Sequence, residues 1–149
     1  MVSALAVLAA AAADAPAVRV WKAAELRELA TTLAPKLDPH TRMVSVKVAD
    51  LGNYSFSTVL RATSGGAELH ETQADVFVAQ AGEATLITGG TIVDAKTTQP
   101  HEVRGSAISG GVETQLAPGD VVTIPPGTPH QLQIAPGKRF AYLAMKIGQ

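Results

Sequence analysis

The sequence predicts one all-β domain, a sandwich or a barrel, preceded by a single helix. Apolar and polar residues alternate with a period of two in much of the segment 42–147, which is typical of half-buried strands. Gly, Pro, Asn or Asp stands at nearly every junction between short apolar runs. Many short strands separated by such turns are typical of a sandwich or barrel. The length of 149 residues fits a single domain.

An uncharged, alanine-rich run occupies residues 1–13 (MVSALAVLAAAAA). It is shorter than the roughly 20 apolar residues that a membrane-spanning helix needs, and it fits the apolar region of a secretory signal that ends in small residues. No Lys or Arg precedes it, and an alanine-rich tail is the alternative interpretation. We predict a cleaved signal peptide in 1–13 and export to a periplasm or beyond, with no membrane segment in the mature chain.

Residues 21–37 have the pattern of an amphipathic helix. Leu26, Leu29 and Leu33 recur at helical spacing in a segment rich in Ala, Leu, Glu, Lys and Arg. Because proline cannot continue a helix, Pro35 marks its end. The sequence therefore predicts a helix of about four turns.

The β domain is predicted over residues 42–149, behind an N-terminal helical segment over 14–41. Residues 89–118 are rich in Gly and Thr and weakly patterned, so we predict a long hairpin or loop excursion there, with short strands near 91–93 and 106–108. The other predicted strands cover residues 42–49, 53–62, 68–70, 75–79, 83–88, 120–124, 130–134 and 139–147.

Composition excludes several classes of site. The formal net charge is −1 and the basic residues are scattered, so no nucleic-acid-binding surface is expected. The chain has no cysteine, which excludes disulfides, thiolate metal ligands and a cysteine nucleophile. We find none of the common phosphate-binding, zinc-protease or serine-hydrolase motifs.

The segment 119–130 (GDVVTIPPGTPH) carries the strongest functional pattern. A β-branched strand ends in a Pro-Pro-Gly turn, and His130 begins the next strand on the same face as Leu132 and Ile134. His130 should therefore point into the apolar interior. An inward histidine after a tight turn is well placed to bind a metal ion, and a core histidine bonded to a backbone carbonyl is the alternative.

This segment resembles the second motif of the cupin superfamily, G-x5-P-x-G-x2-H-x3-N. Gly119, Pro125, Gly127 and His130 match it at the expected spacing, and Ile134 replaces the final Asn. In cupins the histidine of this motif is a metal ligand.

The first cupin motif, G-x5-H-x-H-x3,4-E-x6-G, is matched in part. His70 stands at the second histidine, Asp75 at the glutamate and Gly82 at the closing glycine, whereas Glu68 replaces the first histidine and Ala62 the leading glycine. A carboxylate can replace an imidazole on a hard or borderline divalent ion. Glu68 and His70 share a strand face by the period of two, so both are expected to reach one ion.

The resemblance implies a double-stranded β-helix, a jelly-roll barrel, with one N-terminal α-helix and a metal site in the barrel mouth. The implied metal ligands are His70, Asp75 and His130, with Glu68 and Gln73 as further candidates. The implied cofactor is a divalent ion, and the residues fit Fe, Mn, Ni or Zn equally.

Two functions remain open at this point. One is a metal-dependent cupin enzyme, an oxygenase, isomerase or lyase, that acts on a small molecule in the barrel mouth. The other is a non-catalytic cupin module that binds or senses a small ligand. The sequence identifies no catalytic residue. Because cupins commonly pair through barrel edges, we also expect a homodimer.

Overall fold

The computed structural model describes Val18 and residues 20–148, apart from the side chains of residues 29 and 30. The signal peptide predicted in 1–13 lies outside the described residues.

The predicted N-terminal helix is present but shorter than expected. Helix α1 spans Ala23–Thr32, and a single turn of 3-10 helix follows at Ala34–Lys36. Because proline lacks the amide hydrogen that a continuing α-helix needs, Pro35 fits this tighter final turn. Neither helix is long and apolar enough to cross a membrane.

Strands make up most of the remaining described chain, as the period of two predicts. They are β1 (Met43–Asp50), β2 (Tyr54–Arg61), β3 (Ala67–His70), β4 (Gln73–Gly82), β5 (Ala84–Thr88), β6 (Thr91–Val93), β7 (Lys96–Gln99), β8 (Glu102–Gly105), β9 (Ala107–Ser109), β10 (Val112–Leu116), β11 (Val121–Ile124), β12 (His130–Gln133) and β13 (Phe140–Gly148).

The strands form two main antiparallel sheets with the core between them. One has the order β1-β2-β13-β4-β11 and the other β10-β5-β12-β3-β8-β7, while β6 and β9 pair separately. Buried side chains from both sheets make one apolar cluster, which includes Val59, Phe77, Leu86, Leu132 and Phe140. The prediction of an all-β jelly-roll barrel with one N-terminal helix is confirmed.

The helix covers the outer face of the first sheet. Leu33, directly after α1, packs against Leu60 of β2 and Ala141 of β13, and all three are buried. Trp21 makes an edge-on contact with Phe56 of β2, with ring centroids 4.7 Å apart. Apolar residues on this outer face of β2 and β13 are therefore shielded from water by the N-terminal segment.

The long excursion is more ordered than the sequence predicts. Strands β6 and β9 occur near the predicted positions, but β7, β8 and β10 were not predicted. All four residues of β7 are exposed, and β10 is exposed except at its end, so neither has the alternating burial that makes a strand recognisable. Strand β7 is held by pairing with β8, and strand β10 by pairing with β5. Neither pairing can be inferred from an alternating pattern within the strand itself.

Strand register determines which side chains meet in the barrel. Glu68 of β3 pairs with His130 of β12, and Asp75 of β4 pairs with Lys146 of β13. The Pro-Pro-Gly turn fixes one of these pairings, because the amide of Gly127 donates a hydrogen bond of 2.8 Å to the carbonyl of His70. Gly127 has a φ of +73°, a conformation that glycine adopts readily.

Candidate metal and ligand site

Four of the five candidate ligands lie together at one end of the barrel interior; we call Glu68, His70, Asp75 and His130 the His/carboxylate cluster. Asp75 Oδ2 is 3.1 Å from His70 Nε2 and 3.3 Å from His130 Nε2. Glu68 Oε2 is 3.6 Å and 3.9 Å from the same two nitrogens. One potential ligand atom each from Glu68, His70 and His130 lies within 4.8 Å of the others.

The fifth candidate, Gln73, is the first residue of β4, two positions before Asp75. Among the described residues, no hydrogen bond or contact in the structure joins its side chain to the cluster. Its role as a further ligand stays a prediction.

His130 is buried, with one ring nitrogen engaged and the other free. Its Nδ1 lies 3.0 Å from the carbonyl oxygen of Thr128, and because a carbonyl only accepts, Nδ1 carries the hydrogen. In a neutral ring the lone pair is then on Nε2, which has no hydrogen-bond partner among the described residues and lies 3.3 Å from Asp75 Oδ2. His130 therefore makes the backbone hydrogen bond expected of a core histidine with one nitrogen and keeps the other nitrogen available for a metal ion. The two interpretations that the sequence left open for His130 are compatible.

His70 is equally buried but is surrounded by charged groups. Its Nδ1 lies 2.6 Å from Glu102 Oε1. Burial and the nearby Lys146 ammonium lower the pKa of His70, but hydrogen bonds with the Asp75 and Glu68 carboxylates raise it more, to about 9. A metal ion that binds this ring must therefore compete with a proton.

Lys146 enters the cluster from β13. Its Nζ lies 2.8 Å from His70 Nε2 and 2.9 Å from Asp75 Oδ1. Burial raises the pKa of the Asp75 carboxyl, but the surrounding histidines and the Lys146 ammonium hold it well below its ordinary value. The Asp75 carboxylate is ionised and buried, and the groups that stabilise its charge come from three other strands, β3, β12 and β13.

Two arginines neutralise the remaining carboxylates of the site. Arg104 of β8 contacts Glu68 at 2.6 Å and Glu102 at 3.1 Å, and Arg61 lies 3.8 Å from Glu68. Burial raises the pKa of Glu68, but the hydrogen bond with His70 and the charges of both arginines lower it to about 2. Glu68 is therefore ionised at neutral pH.

Sequence reasoning missed Arg61, Glu102, Arg104 and Lys146. Lys146 did carry a signal, because the period of two puts it on the same strand face as the inward Tyr142, where a charged residue is rare unless it is paired. Glu102 and Arg104 belong to β8, which was not predicted as a strand, so their alignment with His70 and Glu68 across β3 could not be inferred.

A pocket of about 240 Å³ opens beside the cluster. Its wall mixes polar and apolar groups. The polar side chains are Glu68, Asp75, Ser45, Ser55, Ser57, Lys146, Arg61 and Arg104, and the wall is completed by Met43, Val59, Phe77, Tyr142 and Ala144. A larger cavity of about 440 Å³ lies elsewhere, lined by Thr85, Gln115 and Arg139 among others, and includes no residue of the cluster.

The donor set fits a divalent ion. Nε2 of His130 faces the carboxylate oxygens of Asp75 and Glu68, so with a neutral His130 ring three electron-rich atoms converge on one point. Imidazole and carboxylate together suit transition metals such as Zn, Fe, Mn or Ni. Glu102 accepts a hydrogen bond from Nδ1 of His70. Carboxylates in this position commonly orient metal-binding histidines.

No family model and no curated protein matches the sequence. Solved structures with similar folds do match. A protein with a double-stranded β-helix domain from Klebsiella pneumoniae is 14% identical, over 89% of this chain and 91% of that chain, with a TM-score of 0.57. A cupin-like protein from Thermotoga maritima is 14% identical over 70% of this chain and 68% of its own, with a TM-score of 0.52.

A polyketide cyclase from Streptomyces resistomycificus is 15% identical, with a TM-score of 0.52, over 72% of this chain and 66% of the cyclase. At these identities the likeness concerns the fold alone. The strand order and these structures together show that the chain has a double-stranded β-helix fold.

Proposed function

We propose that the protein binds one divalent metal ion and, beside it, a small molecule in the pocket of about 240 Å³. His70, Asp75 and His130 are the proposed metal ligands, and Glu68 is a fourth candidate. The observation that carries the proposal is the buried Nε2 of His130, which faces two carboxylates and has no hydrogen-bond partner among the described residues. Leaving a buried polar atom unpaired costs about 1–3 kcal/mol, so such an atom calls for a ligand.

The surrounding residues hold the ligands in place. The carbonyl of Thr128 fixes the tautomer of His130, and Glu102 orients the ring of His70. When bound, the ion supplies Lewis acidity to a ligand in the adjacent pocket. Asp75 Oδ2 lies 3.1 Å and 3.3 Å from the Nε2 atoms of the two histidines, so the three side chains would hold one ion together.

The polar side chains of the pocket wall support a small polar molecule as the second ligand. Ser45, Ser55 and Ser57 offer hydroxyl groups, and Arg61 and Lys146 offer positive charge. A related fold serves a polyketide cyclase, so small-molecule chemistry is compatible with this architecture. An oxygenase, isomerase or lyase is the enzyme that we propose.

Elemental analysis tests the metal site. We expect about one iron, manganese, nickel or zinc ion per chain in tag-free protein, or after reconstitution with each ion, and at most about one tenth of that in His130→Ala. The exposed His40 provides a matched control, and His40→Ala should keep its metal. Failure of the wild-type protein to take up any of these ions would overturn the metal site.

A non-catalytic binding module is the second candidate. The observation that favours it is that the carboxylates of the cluster are already compensated by Lys146 and the two arginines. Native mass spectrometry of the purified protein would then show a bound organic molecule that His130→Ala retains. Turnover in oxygen-uptake, isomerase or lyase screens of the metal-loaded protein would exclude this candidate.

We also infer export and a homodimer. Export is supported by the alanine-rich run in 1–13, and mass spectrometry of protein from its native host should show loss of this run. The homodimer is supported by exposed sheet edges at β1 and β11. A monomer by light scattering at micromolar concentration would contradict it.

A further inference from the structure

Lys146 lies where charged side chains are rare, on the inward face of a strand that runs through the middle of a sheet. Strand β13 is flanked by β2 and β4, and its register puts Lys146 opposite Asp75 on one side and Ser55 on the other. The Lys146 side chain is 38% exposed, so its stem lies along the open pocket while the ammonium reaches the buried Asp75. Such a side chain can leave the cluster without unfolding the barrel.

The ammonium contacts the same atoms that a metal ion requires. It lies 2.8 Å from Nε2 of His70 and 2.9 Å from Oδ1 of Asp75. Lysine has hydrogen-bond donors and no acceptor, so it uses a lone pair of Asp75 and, when the ring is neutral, that of His70 Nε2. One lone pair cannot serve the ammonium and a metal ion together, and two cations so close repel each other.

The charges around the site also indicate that the Lys146 ammonium and a metal ion cannot occupy it together. Glu68, Asp75 and Glu102 supply three negative charges, and Arg61, Arg104 and Lys146 supply three positive ones. A divalent ion adds two positive charges to a set whose three carboxylates are already matched before either histidine is counted. Lys146 is the cation of this set that contacts His70 and Asp75, whereas both arginines contact Glu68 and are further tied to Tyr142 or Glu102.

We propose that Lys146 is a tethered cation that competes with the metal ion for His70 and Asp75. Metal binding displaces its ammonium into the pocket, towards the hydroxyl of Ser55, where it can contact the small-molecule ligand. Lys146 is thus a positioning residue that supplies one of the compensating charges of the metal-free cluster and sets its affinity for metal. The proposal rests on the proposed metal site, and the experiments below separate the two.

The first test compares metal affinity in three proteins. Zn²⁺ and Mn²⁺ are titrated by calorimetry at one pH into wild type, Lys146→Met and Lys47→Met. Lys47 is a matched control, since it is a strand lysine paired with an exposed aspartate, Asp50, at 2.7 Å. We expect Lys146→Met to bind at least about tenfold more tightly than wild type, because the competitor is gone, and Lys47→Met to bind as wild type does.

Each outcome decides between the proposals. Equal or weaker binding by Lys146→Met overturns the role of Lys146 and leaves the metal site standing. Binding by Lys146→Met alone supports the competition and overturns a metal function for the native chain. Absence of binding in all three proteins overturns both.

The second test uses the wild-type protein and does not depend on a folded variant. Lysines are acetylated briefly with a water-soluble ester, with and without Zn²⁺, and the labelled positions are measured by mass spectrometry. We expect Zn²⁺ to increase labelling of Lys146 several-fold and to leave that of Lys47 unchanged. Unchanged or reduced labelling of Lys146 in protein that has bound Zn²⁺ would show that the ammonium stays in the cluster.

Discussion

The two sides of the cluster differ sharply, although their histidines are buried to the same extent. On the β12 side, His130 is held by one backbone carbonyl and keeps a free Nε2. On the β3 side, His70 contacts Glu102 through one nitrogen and Lys146 through the other. Burial and motif position are therefore poor guides to the state of a histidine. Its partners decide whether a ring is ready for a ligand or is already occupied.

Removing Asp75, which both sides share, should have the largest effect. Asp75→Asn leaves the Lys146 ammonium and the two rings without their buried anion, and breaking a buried pair costs about 3 kcal/mol or more. We expect the free energy of unfolding of the metal-free protein, measured with urea, to fall by about 3 kcal/mol. Asp50→Asn, which breaks only an exposed pair, should leave it unchanged; equal losses would show that the cluster adds nothing to stability.

Removing each histidine separately should distinguish the two sides. His70→Gln loses contacts with three carboxylates and should lower the free energy of unfolding by about 2 kcal/mol. His130→Gln loses one neutral hydrogen bond and should lower it by about 1 kcal/mol. Urea denaturation of both metal-free variants checks this order, and the reverse order would mean that His130 has strong partners in solution.

The pH dependence of stability should come from the β3 side. Folding raises the pKa of His70 from 6.5 to about 9, so the folded state binds this proton more tightly than the unfolded state. Its stabilising contribution is complete below pH 6.5 and is lost as the pH rises towards 9. Urea midpoints of the metal-free protein should fall over this interval. His70→Gln should remove most of the decrease and His130→Gln should retain it; the opposite result would assign the proton to His130.

The smallest expected effect concerns a second unpaired polar atom. Thr58 Oγ1 is buried beneath the N-terminal segment and, like His130 Nε2, has no hydrogen-bond partner among the described residues. It faces no cluster of charged groups, so Thr58→Val should stabilise the protein by about 1 kcal/mol and leave metal uptake unchanged. Thermal melts and elemental analysis measure both. A loss of metal in Thr58→Val would mean that an unpaired buried atom is no guide to the site.

The sequence predicted the parts of this fold that depend on local pattern. Alternation located β1, and residue composition and turn residues located β2 and β13, each to within one residue, while the cupin-like spacing predicted that His70 and His130 share one site. It failed where stability comes from distant partners. Strand β8 has no alternating burial and is held between β3 and β7, and the charges that surround His70 come from β8 and β13.

The prediction for Glu68 shows what a local sequence pattern can and cannot provide. The period of two correctly placed it on the face of His70. Its ionisation depends on Arg104, 2.6 Å away, which lies on a strand that the sequence did not reveal. Pairing across a sheet joins residues that are far apart in the chain, and no local pattern reports which residues they are.

The central position of β13 has a consequence for how the protein folds. Asp75 and Lys146 are 71 positions apart, yet they meet because β13 inserts between β2 and β4. Until that insertion is complete, the first sheet is divided into two separate pairs of strands, and the buried carboxylate lacks its ammonium. Contacts between such distant positions form slowly because a long loop must close first. We therefore expect the His/carboxylate cluster to form in the same folding step in which β13 joins the two pairs of strands into one continuous sheet.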